Sequence, residues 1–138
     1  MNREIKFRGK LTEDNDWEFG DLREKNGKLY IFPKSELTFK HLVYEVFPNT
    51  VGQYTGLKDK NGVEIYEGDI ICSKDSMGQL IYHEIFYEEK EGRFMAALSS
   101  NKGASFGVCG LHQYWIDRFE KVLVGNVYDN PELITNNS

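Results

Sequence analysis

The chain lacks several things whose absence narrows its class. It has three prolines in 138 residues and thirteen glycines, too few for a Pro/Gly-rich disordered or collagen-like polymer. It has two cysteines, Cys72 and Cys109, which cannot build the disulfide scaffold of a small secreted domain. In a cytoplasm such widely separated thiols stay reduced and are most often buried. No apolar run reaches membrane-spanning length. The opening Met1-Asn2-Arg3-Glu4-Ile5-Lys6 has no apolar core of the signal-peptide kind. The expectation is therefore a soluble cytoplasmic protein without membrane contact.

Positive charge is also in short supply. The formal net charge is −5. Residues 1–50 balance nine basic against nine acidic side chains, whereas residues 51–138 set eight against thirteen. A protein that grips phosphate over a broad surface shows the opposite sign. General nucleic-acid binding is thereby disfavoured, and only a local patch is left open.

Aromatic residues are plentiful: nine Phe, eight Tyr and two Trp. Such rings fit half-buried strand faces. Residues 4–10 alternate, with Ile5 and Phe7 on one side and Lys6, Arg8 and Lys10 on the other, the period of a half-buried strand. The basic side is a candidate anion or nucleic-acid edge, against the plainer reading of lysines that protect an edge strand from pairing. Trp17, Phe19 and Leu22 mark a second strand. Asn26-Gly27 marks a tight turn and Leu29 to Phe32 the return strand, because both turn residues tolerate positive φ.

Residues 34–42 are polar and irregular, the place to expect an internal boundary. Further strands are expected at Val43–Phe47, around Ile65, at Ile70–Cys72, Leu80–Tyr87, Arg93–Leu98 and within Phe119–Val127. A short helical turn is expected at Tyr114-Trp115-Ile116. Asn130-Pro131 reads as a cap with proline at the first helical position, so a short C-terminal helix is expected. The total, about eight or nine strands and at most two short helices, gives a mainly β protein. By analogy with SH3-like folds the Gly68-Asp69 step feeds a small antiparallel β-barrel-like core. One domain is expected, with an N-terminal β-hairpin lobe (1–49), the barrel-like core (50–128) and a C-terminal tail (129–138).

Three stretches carry a family resemblance. They are Arg3-Glu4-Ile5-Lys6-Phe7-Arg8; Val51 to Gly62 with Ile65-Tyr66-Glu67-Gly68-Asp69-Ile70; and Val124-Gly125-Asn126-Val127-Tyr128 with Asn130-Pro131-Glu132-Leu133. In this order and at this spacing the chain resembles the YopX family of phage and prophage proteins of Gram-positive bacteria. It departs from the family in one place, with Gly9-Lys10 after the opening Phe-Arg where relatives carry a small residue and an aromatic. The resemblance implies a β-rich fold, a phage or prophage origin and self-association. It implies no reaction and supplies no catalytic residue.

Motifs that could carry chemistry are sparse. Gly103-Ala104-Ser105-Phe106-Gly107 matches the G-x-S-x-G pattern, but loop-like residues precede it, and His112 and Asp117 follow in the wrong order for a nucleophile elbow. Cys109 and His112 form half of a zinc pattern, with His41 and His83 elsewhere. The Glu67 and Asp69 carboxylates flank Gly68, with Asp59 nearby. They suit a metal or acid–base pair, or simply turns. Gln53, Tyr54 and Thr55 join amide and hydroxyl groups to a ring. With Asp59, Asn61, Glu67 and Asp69 they form the candidate binding surface. No cofactor or resident metal is called for. The functional expectation is an oligomeric binding or assembly module that meets itself and a host or phage protein. A nucleic-acid-binding small barrel is the alternative, and an enzyme using Glu67 and Asp69 or Ser105 ranks last.

Overall fold

The computed structural model describes residues 3–33, 42–98 and 107–135. The chain divides into two compact units, Met1–Gly56 and Leu57–Ser138. The division falls inside a strand, past the polar stretch at 34–42.

The first unit is an antiparallel sheet. Its strands are β1 (Phe7–Lys10), β2 (Trp17–Lys25), β3 (Lys28–Pro33), β4 (Tyr44–Val46) and β5 (Gly52–Lys58), in the order β4-β3-β2-β1-β5. The β2–β3 hairpin closes at Asn26 (φ 53°) and Gly27 (φ 79°), the left-handed pair that the Asn-Gly step predicts. Its register runs from Lys25 opposite Lys28 to Gly20 opposite Pro33. Ile31 and Val46 are fully buried. A 3-10 turn over Pro48–Thr50 leads into β5. There Thr50 Oγ1 accepts from the Lys10 amide at 2.9 Å and donates to the Phe47 carbonyl at 2.6 Å.

The basic strand is not an edge. β1 pairs with β2 on one side and with β5 on the other, Phe7 lying opposite both Gly20 and Gln53. Alternation reports which face a side chain takes; it carries no information about how many neighbours the backbone has.

The second unit contains β6 (Glu64–Tyr66), β7 (Asp69–Lys74), β8 (Leu80–Glu88), β9 (Arg93–Leu98), β10 (Val108–Gly110), α1 (Gln113–Arg118) and β11 (Val122–Asn126). Its antiparallel sheet has the order β10-β9-β8-β7-β11. Strands β7 to β10 form a meander, and β11 returns along β7 with an irregularity between Leu123 and Gly125. Ile71 lies opposite His83, and Ile85 opposite Ala96. These residues share one face with the core, where Ile65, Leu111 and Ile116 close over them. Ile116 comes from α1, so the helix covers this face. The six side chains form the buried cluster that fixes the unit, at about 25 cal/mol for each Å2 of apolar surface removed from water.

Two expectations change here. The strands form two antiparallel sheets and not a closed barrel: β10 and β11 end up at opposite edges of their sheet. The C-terminal helix is a single 3-10 turn over Pro131–Leu133, and the Asn130 side chain does not cap it. Asn130 Oδ1 instead accepts from the Asn126 amide at 3.2 Å, while Asn126 Oδ1 accepts from the Tyr128 and Asp129 amides at 3.0 and 2.8 Å. A Cβ on Gly125 would collide with Asn130 Oδ1, which accounts for glycine at that position. No helix among the described residues is long and apolar enough to cross a membrane.

Candidate functional site

The cations of β1, and Lys6 just before it, lie on rings of their own unit. Lys6 Nζ stands 5.0 Å from the Tyr54 ring centre, with its side chain only 16% exposed. The Arg8 guanidinium lies 4.6 Å from the Trp17 ring centre and Lys10 Nζ lies 5.5 Å from it. Arg8 is 6% exposed. Cation and ring attract through the ring quadrupole, and the same arrangement withdraws charge from solvent. Gln53, Tyr54 and Thr55 sit on the neighbouring β5 in the first unit, Tyr54 buried and the other two half-buried.

The predicted carboxylates belong to the second unit, where they organise turns. Asp59 is buried. Its Oδ1 accepts from the Asn61 and Val63 amides at 2.8 and 2.9 Å, and its Oδ2 from the Leu123 amide at 2.8 Å. Asp69 Oδ2 accepts from the Tyr66 amide at 2.7 Å. The Asn61 and Val63 bonds close the turn around Gly62 and the Tyr66 bond closes the turn around Gly68, while the Leu123 bond ties Asp59 to β11. Glu67 is half-buried and Asn61 exposed. The Ser105 motif and His41 lie outside the described residues. His112 caps α1, its Nδ1 accepting from the Trp115 amide at 3.3 Å, and Cys109 packs against the core cluster. Among the described residues no group of three or more His, Cys, Asp or Glu is placed to hold a metal.

The most distinctive chemistry of the second unit lies elsewhere. Lys121, at the entry to β11, is 4% exposed and donates from Nζ to Ser73 Oγ of β7 at 2.6 Å. Its ammonium also faces the Trp115 ring at 4.5 Å and the Phe119 ring at 6.0 Å. The His83 and Trp115 rings form a T-shaped pair, their centres 5.1 Å apart and their planes crossing at 89°. Burial pulls the Lys121 pKa below the usual lysine value. Burial, and then the Lys121 charge, lower that of His83 to about 4. Burial raises both thiols, Cys72 and Cys109, so neither carries thiolate character at neutral pH.

Ser73 also lines a surface cleft of about 420 Å3, together with Cys72, Lys74, Leu80, Phe119 and Val122, and with Lys60, Asn61 and Glu120. Leu80 and Phe119 are 55% and 52% exposed, so large apolar side chains flank a buried hydroxyl. Lys60 and Glu120 pair at 2.7 Å, which holds the Glu120 carboxyl below its usual range. Of the residues picked from sequence, Asn61 alone lines this cleft. Ser73, Lys121, Leu80 and Phe119 belong to no motif. The one available signal is a single cation in an otherwise apolar stretch, Val122-Leu123-Val124 following it.

Comparisons with known proteins agree with the opening resemblance. A family model described as YopX protein matches residues 6–135. Among solved structures, the crystal structure of protein EF1440 from Enterococcus faecalis superposes with a TM-score of 0.62 at 26% identity, covering 96% of this chain and 99% of that one. No curated protein matches.

Proposed function

The chain belongs to the YopX family, and we propose that it is a phage- or prophage-encoded, non-catalytic binding and assembly module. It acts in the host cytoplasm and associates with copies of itself and with a host or phage protein. One observation carries this reading: the cleft beside β7, where Leu80 and Phe119 stand largely exposed around the Ser73 hydroxyl. Apolar anchors set about a few directed polar groups are the makings of a binding surface.

The alternative reading, nucleic-acid binding along β1, needs cations free to neutralise phosphates. Lys6, Arg8 and Lys10 instead cover Tyr54 and Trp17. An enzyme using the turn carboxylates finds Asp59 and Asp69 engaged with backbone amides.

The reading is tested by light scattering after gel filtration over a wide concentration range, with the double variant Leu80→Ser/Phe119→Ser alongside. The expected result is a species heavier than the 16.0 kDa monomer that the variant weakens. A monomer at every concentration sinks the self-association. If binding of a captured host or phage protein is indifferent to the double variant, the cleft is not the contact surface. Binding of duplex or single-stranded probes that falls steeply with added salt would favour the alternative.

A further inference from the structure

The polar floor of the cleft suggests what it binds, on the reading that the cleft is a binding surface. Withdrawing an ammonium from water is costly unless its charge is compensated. The Lys121 ammonium is withdrawn in this way, and no carboxylate of the described residues pairs with it. Its contacts are the Ser73 oxygen and two aromatic rings. Rings return only part of that cost to a desolvated cation, so the site still favours a negative charge nearby.

The serine relays that preference. Ser73 Oγ accepts from Lys121, which leaves its own hydrogen to be donated elsewhere, and no acceptor for it occurs among the described residues. Since Ser73 lines the cleft, this polarised donor serves whatever lies there. Lys74 and Lys60 add positive charge at the rim against the single Glu120. The remaining wall, Leu80, Phe119 and Val122, is apolar.

We propose that the cleft binds a carboxylate carried on a compact apolar group, the carboxylate accepting from Ser73 Oγ in the field of Lys121 and the apolar group resting on Leu80, Phe119 and Val122. One directed hydroxyl and one buried positive charge suit a monoanion better than a phosphate dianion, which needs several donors. The cleft volume falls in the range of small-ligand pockets. Two sources offer this chemistry: a free apolar carboxylic acid, and the C-terminus of a peptide that ends in an apolar residue.

The test is amide-resolved NMR titration of the full chain with four probes: hexanoate, hexanamide, N-acetyl-glycyl-leucine and the amide of that peptide. The expected result is a shift of the amides at residues 72–74 and 119–122, with each carboxylate binding at least about tenfold more tightly than its amide. Hexanoate binding better than the peptide assigns the site to a free acid; the reverse assigns it to a protein C-terminus. Lys121→Met and Ser73→Ala, checked for folding by their own spectra, should each remove the preference for carboxylate over amide. Equal binding of acids and amides overturns the carboxylate assignment and leaves the binding surface intact. The absence of any shift at millimolar probe overturns it as well, and the surface then stands or falls on the Leu80→Ser/Phe119→Ser association measurement. A carboxylate preference unchanged in Lys121→Met also overturns it.

Discussion

Three backbone N–H groups end on the Asp59 carboxylate, two from its own turn and one from Leu123 in β11. Asp59→Ala leaves all three amides without this acceptor and should cost about 2–4 kcal/mol in urea unfolding. A loss under about 0.5 kcal/mol would mean that water replaces the carboxylate. Sequence pointed to the turn role of Asp59 but not to its tie to β11, because its third donor lies 64 residues away. Lys121 was illegible for a similar reason: only the fold sets it under Trp115 and against Ser73. Replacing a buried cation with an apolar side chain of similar length relieves desolvation, so Lys121→Met should raise stability by about 1–2 kcal/mol. His83 gives a pH signature. Its folded pKa, about 4, lies below the ordinary 6.5, so the unfolded chain takes up the proton first. Its contribution is complete above about pH 6.5 and falls away as pH drops toward 4. Between pH 6.5 and 5, where most carboxylates stay ionised, wild type should lose stability faster than His83→Phe in matched thermal melts. Parallel pH curves would show that the imidazole does not sense its burial.

Local signals set several elements. The Asn26-Gly27 hairpin and the Gly68-Asp69 turn were legible because turn geometry depends on the residues that make it. Neighbour relations were not. The interior position of β1 depends on β5, which follows it after three other strands, and no pattern within residues 4–10 encodes that. Gly20 is a similar case. It sits mid-strand in β2 at φ 158°, and a Cβ there would run into the Phe32 carbonyl oxygen of β3. Gly20→Ala should therefore push β2 and β3 apart and cost roughly 2–4 kcal/mol or more, by the cost of overpacking a closed backbone contact. Gly27→Ala should cost only about 1 kcal/mol, since it meets a φ preference and no atoms within 4 Å. Chemical denaturation of both variants checks the order; a reversal would place the strain at the turn instead of the strand contact.

Across the whole molecule, composition sufficed for the class, mainly β with one short helix, because aromatic content and period-2 patterning accumulate over many strands. It did not suffice for closure. Whether strands of one hairpin series form a barrel or two sheets depends on which outer strands meet, and alternation is the same in both. One such pairing has a consequence for synthesis. β7 is the first strand of its sheet, and its partner β11 is the last. During translation β7 leaves the ribosome with a run of residues that are buried in the finished fold, Asp69 to Ser73. One of its two edges stays unsealed until β8, β9, β10 and α1 have all been made. A ribosome that stalls in the α1 codons thus holds a nascent chain with an open, largely apolar ladder, a natural target for chaperones and a seed for co-aggregation among neighbouring ribosomes.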